Sequence, residues 1–378
     1  MKILTNTRTY RVAGITQTLA SFADFIEKNK GKVHITGVDI VSQKSNYQSA
    51  SVKQNGSFSM LSFLLDYPAN IIKVAREAKD LREIETVYEP LIEKYEETIK
   101  QESPDAILIN GTYFLPWCLL KAALRRGLPI VLHYHGILSK ETAHWNPCER
   151  ELMLAMEKSF DRENIYYVFP SHLAKDTVEK EVFGHGVKKF SLLPNPVPAH
   201  FFKKSPGKRI KKQLGMISRW SKVKNTDFLE NLAEFNDKSK EMSLNVVTDL
   251  PRQHKTRIKL GGLVKFRQPM PNDKLPFFYQ KMGVVISPSH FETYGNVAQE
   301  AVACGTPALV SRHMGVAETF QNLGLGDWVI DFDSLSAVAT KIKEVRGMEV
   351  SVSVKKKIKE EYCSDKIHPR LLEVLRSI

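Results

Sequence analysis

The sequence predicts an α/β protein with parallel sheets, divided into two domains. Short apolar runs rich in β-branched residues are followed repeatedly by helical periodicity, as in SPDAILING before WCLLKAALRRG and NIYYVFPS before HLAKDTVEKEVFG. Strands that alternate with helices pair in parallel, and the helices cover the sheet faces. The 378 residues suffice for two domains of ordinary size, each able to bury a core.

The first half opens with the short strand ILTN. Next comes Arg11-Val12-Ala13-Gly14-Ile15-Thr16, which leads to a helix over Thr18 to Asn29. Phe58 to Lys100 reads as a largely helical insertion. Its apolar start, FSMLSFLL, suits either a core stripe or a surface that docks an acceptor lipid or lies against a membrane. Pro129 to Gly136 (PIVLHYHG) is a strand ending in two histidines, His133 and His135, which strand alternation puts on one face. Either ring could equally be a buried histidine satisfied by backbone. The aperiodic, proline-rich stretch from Pro194 to Lys208 marks the linker, giving domains over 1–203 and 204–361.

In the second half, Gly283 to Ser287 (GVVIS) is a buried strand closed by Pro288, and a loop runs from Pro288 to Gly295. Asn296 is expected to cap the next helix, with Gln299 at the capping-box spacing, and the helix continues to Gly305. Asp333 is expected to cap the helix SLSAVATKIKEV.

The stretch from Ser287 to Ser311 is the chemically informative one. A helix start offers free N–H groups and about half a positive charge, and Gly295 lets the backbone come close, so a diphosphate fits there. Glu292 in the loop and Glu300 one turn into the helix can accept hydrogen bonds from sugar or ribose hydroxyls. By themselves they read equally well as a solvated carboxylate and a complement to the helix dipole.

This stretch resembles the retaining glycosyltransferases of family 4, which have the GT-B fold. Their pattern is matched by Pro288-Ser289, Glu292, Tyr294, Gly295 and Glu300, followed by AVACGTPALVS. Gly215 to Asn225 (GMISRWSKVKN) resembles the segment in which an Arg and, five residues later, a Lys hold the donor diphosphate; those positions are Arg219 and Lys224. Arg11 to Thr16 resembles in part the family's glycine-rich loop after the first strand, with Ala13 replacing one glycine and Gly14 as the implied phosphate-loop position, and Leu193 to Val197 resembles the opening of the interdomain linker, with Pro196 replacing a glycine. Val264 to Tyr279 resembles the nucleobase strand and helix, with Gln268 where glycine is usual. Met314 to Glu318 keeps Gly315 and Glu318 of the family's turn, and Glu318 is read as structural.

The resemblance implies two Rossmann-like parallel-sheet domains facing a cleft, with the segment from about 362 to 378 crossing back to the first, and transfer of a hexose from a nucleoside diphosphate sugar, UDP or GDP type, to a glycan or lipid-linked acceptor. Arg219 and Lys224 would stabilise the leaving diphosphate, and Glu292 would hold sugar hydroxyls. Gly295, Asn296 and Val297 would offer backbone groups, Glu300 would bind the ribose, and His135 would contact the sugar near the reacting centre. No cofactor beyond the donor is implied. The alternatives are a synthase or phosphorylase acting on soluble sugars, and a non-catalytic glycan- or sugar-nucleotide-binding subunit. The joint presence of Arg219, Lys224 and Glu292 argues against the latter.

The net charge is +13, and residues 201–267 hold 17 Lys or Arg against 6 Asp or Glu. The excess suits a nucleotide diphosphate, an anionic membrane face or a polyanionic acceptor; a solvated basic linker reads equally well. Nucleic acid ranks last, since no finger, helix-turn-helix or RNP-type pattern accompanies the charge. No apolar run reaches the roughly 18 residues of a membrane span, and MKILTNTRTYR lacks a signal-peptide core, so a cytoplasmic protein able to reside at the inner membrane face is expected. Cys118, Cys148, Cys304 and Cys363 show no paired spacing, and no metal site is expected.

Overall fold

The computed structural model describes residues 1–7, 14–28, 32–42, 57–65, 73–74, 77–203 and 209–378. It divides into two compact units, one of Met1–Leu193 with His368–Ile378, the other of Pro194–Ile367. The first boundary lies earlier than residue 203, and the return lies later than 362. The cause is local pairing: the Val197 N–H donates to the Tyr362 carbonyl (2.8 Å), and the Ser364 N–H to Val197 (3.1 Å), so both stretches belong to the second unit.

The first unit contains β1 (Lys2–Asn6), β2 (His34–Ser42), β3 (Phe58–Leu65), β4 (Ala106–Asn110), β5 (Ile130–His133), β6 (Ile165–Phe169) and β7 (Phe190–Leu192). They form one parallel sheet in the order β3-β2-β1-β4-β5-β6-β7. The order reverses between β1 and β4. Every side chain of β4 is buried, as expected where helices cover both faces.

FSMLSFLL corrects an expectation. It is β3, an edge strand paired in parallel along its length with β2, from Ile35 opposite Phe58 to Ser42 opposite Leu65. An eight-residue apolar run has no periodicity that separates strand from helix, and pairing with β2 decided it. Helix does form later, over Leu81–Glu102, where Asp80 accepts from the N–H groups of Arg82 and Glu83. The first helix runs over Gly14–Lys28, starting earlier than Thr18, so Gly14 is its first residue. Arg11 to Ala13 and Asn29 lie outside the described residues.

The second unit contains β8 (Ile210–Ile217), β9 (Ser243–Val247), β10 (Val264–Arg267), β11 (Met282–Ser287), β12 (Ala308–Ser311) and β13 (Val329–Ile330), in the order β10-β9-β8-β11-β12-β13. All its strand pairs are parallel, and the order reverses between β8 and β11. Val284 and Ile286 pack into one helical layer and Val285 into the other, so β11 is buried on both faces. Gly215 lets β8 and β11 pack closely, since a Cβ there would lie 2.7 Å from Met282 Cγ. Asp333 does not cap the following helix. Ser334 does, accepting from the Ala337 N–H, and the helix is Leu335–Val345.

Candidate functional site

Open parallel sheets bind ligands beyond the carboxyl ends of their strands, where the strand order reverses. In the second unit that point is flanked by the loops after β8 and β11. The first carries Arg219, which is exposed, and Lys224, at the end of a 3-10 turn over Lys222–Lys224. Asn225 (φ 52°) ends the turn and starts the helix Thr226–Ser239, accepting from the Phe228 N–H. The two loops are tied together where the His290 N–H donates to the Val223 carbonyl (2.9 Å).

Lys224 Nζ lies 3.0 Å from Glu292 Oε1, with both side chains mostly buried, and Ser289 Oγ donates to the same oxygen (2.7 Å). Glu292 is further fixed by its backbone, which donates to His313 O (3.2 Å) and accepts from the Gly315 N–H (3.0 Å). The Met314 to Val316 turn therefore braces the Glu292 loop. Gly295 has φ 111°, which favours glycine, and a Cβ there would lie 2.4 Å from Met314 Cε.

The helix after the loop is Asn296–Ala303, and here a second expectation is corrected. Gly295 is the N-cap, no side chain caps the helix start, and Asn296 is its first helical residue. The Asn296 Oδ1 instead accepts from Asn195 Nδ2 (2.8 Å), a residue of the linker-like stretch. Glu300 is 8% exposed and accepts from the buried Tyr279 hydroxyl at 2.7 Å. Burial pushes its carboxyl up to about 7, and the Tyr279 hydrogen bond works in the opposite direction. Sequence reasoning missed Tyr279, Asn195 and the hydroxyls of Ser218 and Ser221, which are buried with no hydrogen-bond partner among the described residues. Only the position of the two serines beside Arg219 and Lys222 hinted at them.

The reversal point of the first unit is also polar. Asn6, ending β1, and Asn110, ending β4, exchange hydrogen bonds of 3.0 and 2.8 Å, and Asn110 Nδ2 donates to Thr5 Oγ1 (2.8 Å). His135 Nε2 lies 3.1 Å from Asn110 Oδ1. The His133 ring is 4.1 Å from that of His135, buried, and without a partner for either nitrogen among the described residues. Burial holds His133 down to about 4, and burial together with His133 holds His135 well below the usual imidazole range. Both rings are therefore neutral near pH 7. The visible signal was that ILTN and AILIN both end in Asn.

Glu157 went unnoticed in the sequence as well. Fully buried, it accepts from the Leu138 N–H (3.0 Å to each oxygen), the Ser139 N–H (3.3 Å) and Thr112 Oγ1 (2.9 Å). It thereby ties the loop after β4 to the loop that carries His135. Among the described residues no group of three or more His, Cys, Asp or Glu could hold a metal ion, and no helix is long and apolar enough to cross a membrane.

Lys224, Glu292, Gly295 and Glu300 share one stretch of chain with a known family. Residues 199–360 match the family Glycosyl transferases group 1. A stretch of 57 residues is 46% identical to D-inositol 3-phosphate glycosyltransferase from Acidothermus cellulolyticus, covering 15% of this chain and 13% of that protein. The whole chain aligns in structure with sucrose-phosphate synthase from Thermosynechococcus elongatus (TM-score 0.76, 14% identity, 98% of that chain). It also aligns with a trehalose-6-phosphate protein from E. coli bound with UDP-2-fluoro glucose (TM-score 0.71, 11% identity, 99% of that chain). At these identities the likeness shows the fold, which is GT-B. The group 1 segment contains all the second-unit candidates; His135 and Gly14 lie outside it.

Proposed function

We propose that the chain transfers a hexose from a nucleoside diphosphate sugar, UDP or GDP type, to an acceptor hydroxyl with retention at the anomeric carbon. The observation that carries this is the placement of Lys224, Glu292 and an uncapped helix start around one strand-order reversal within the group 1 segment.

Leaving-group departure places negative charge on a diphosphate. Lys224 and Arg219 supply positive charge, and the N–H groups of Asn296 and Val297 supply hydrogen bonds and the helix dipole. Gly295 keeps the approach to those N–H groups free of a side chain. The donor would displace Lys224 from Glu292, so that Lys224 turns to phosphate and Glu292 accepts from sugar hydroxyls. Glu300 would accept from the ribose on the side away from Tyr279. In the first unit, His135, its neutral ring held by Asn110, is the candidate to contact a sugar, and Gly14, at a helix start, the candidate to face phosphate. The acceptor oxygen would attack on the face from which the diphosphate departs, its proton passing to the departing phosphate oxygen as the sugar–phosphate bond breaks, which would give retention without a covalent intermediate.

The acceptor is a hydroxyl of a glycan or a lipid-linked saccharide. A second reading is a small soluble sugar or polyol phosphate as acceptor, favoured by the likeness to a D-inositol 3-phosphate glycosyltransferase and a sucrose-phosphate synthase. Titration calorimetry with UDP, GDP and ADP, with and without magnesium, tests the donor assignment. Binding of one nucleotide regardless of magnesium supports it, and absence of binding by all three at millimolar concentration rejects it. Donor consumption with inositol phosphate, hexose phosphate or lipid-linked acceptors then separates the two acceptor readings.

A further inference from the structure

We propose that the amino-terminal end of the second unit's sheet is a docking surface for an anionic lipid membrane. The surface comprises the start of β8, the turn at Gly305, the turn around Gly347 and the start of the helix Val352–Glu361. These segments are tied together: Arg209 Nη1 donates to Met348 O (2.9 Å) and Nη2 to Gly305 O (2.5 Å), and the Gly347 N–H donates to Gly283 O (2.9 Å). The Lys211 stem packs over Gly347, and Lys355 and Arg209 both approach Gly305.

Residues 209–212 and 343–359 contribute nine Lys or Arg and two Glu. Some of the cations are paired. Lys343 meets Glu241 (2.9 Å), the Glu241 carbonyl accepts from Arg346 (3.3 Å), Lys356 lies 3.7 Å from Glu360, and Glu349 acts on Arg209. The remaining excess is positive. Among the described residues seven large apolar side chains are exposed, and three of them, Ile210 (47%), Met348 (48%) and Val352 (77%), sit within this basic area.

Charge complementarity selects an anionic partner, and the apolar residues select its kind. A soluble polyanion gains nothing from side chains that it leaves in water, whereas a bilayer takes them into its headgroup region while its anionic lipids meet the lysines. The surface lies at the amino ends of β8 and β11. Lys224 and Glu292 lie past their carboxyl ends, roughly 25 Å away for an eight-residue strand. A docked chain therefore leaves the candidate donor site open.

Sedimentation of the full chain with vesicles tests the proposal independently of any transferase activity. Vesicles of phosphatidylcholine with phosphatidylglycerol should pellet the chain, pure phosphatidylcholine should not, and raised salt should release it. The double variant Lys355→Glu, Lys356→Glu should stay in the supernatant, and Met348→Ser with Val352→Ser should lose most of the bound fraction. In the unmodified chain, amide exchange of residues 347–356 should slow on anionic vesicles. The proposal is overturned if anionic vesicles pellet nothing or if the charge reversal has no effect. It is also overturned if the serine variant binds vesicles and heparin as well as the parent, since the surface would then read charge alone.

Discussion

Lys224 Nζ and Glu292 Oε1 stand 3.0 Å apart, and the two residues are proposed to meet adjoining groups of the donor, its diphosphate and its sugar. Their pairing holds the lysine beside the candidate site and compensates a mostly buried carboxylate. Lys224→Ala should lower kcat by about 100-fold or more, the scale for removing one charge-stabilising group. Because loss of the lysine leaves a mostly buried carboxylate uncompensated, stability should also fall, by about 1–3 kcal/mol. Steady-state kinetics alongside urea unfolding checks both, and near-normal turnover would remove Lys224 from the leaving-group role.

Glu300→Gln should weaken nucleotide binding by about tenfold, the worth of one hydrogen bond to a charged acceptor, with a smaller effect on kcat. Calorimetry decides, and unchanged affinity returns Glu300 to a structural role.

The same carboxyl predicts a pH dependence. Its folded value of about 7 lies above the roughly 4.3 of an unfolded chain, so the native state holds the extra proton between those limits. This contribution to stability is fully present below about pH 4.3 and is lost as pH rises through 7. Nucleotide affinity should move the opposite way, strengthening as the carboxylate forms. Tyr279→Phe removes the hydrogen bond that lowers the value and should shift the Glu300 titration upward, read from its carboxyl carbon-13 resonance. A titration that does not move would show the hydroxyl to be without influence.

Gly295→Ala should cost about 1–3 kcal/mol, because φ 111° is hostile to an L side chain even where Met314 Cε can move aside. Calorimetric unfolding measures the cost. Nucleotide affinity should fall with it, because the loop also carries Glu292.

Glu157→Ala should leave the Leu138 and Ser139 N–H groups and the Thr112 hydroxyl without a buried partner, at a cost of about 3 kcal/mol. Amide exchange over residues 134–142 should accelerate before the rest of the first unit opens. Uniform protection across that unit would show that the loops hold without the clamp.

The sequence by itself determined what depends on near neighbours. The apolar run before Pro288, the glycine at 295 and the apolar helix to 303 identify a strand, turn and helix, because strand burial, positive φ and helical periodicity are local properties. The parallel α/β class followed from repeating that unit along the chain. Local cues also misled: Asn296 has the composition of a cap, but Gly295 can take the backbone angle that the turn requires, and FSMLSFLL gained its structure from β2. Only the tertiary structure decided that Glu292 meets Lys224, that Asn296 meets Asn195, that Tyr279 covers Glu300 and that Glu157 joins two loops. Lys224 and Glu292 meet because parallel pairing sets the carboxyl ends of β8 and β11 side by side, and the other contacts form only once helices and connecting stretches have packed against the sheets. Burial, which raises the Glu300 carboxyl and keeps His133 and His135 neutral, likewise exists only once those layers have packed.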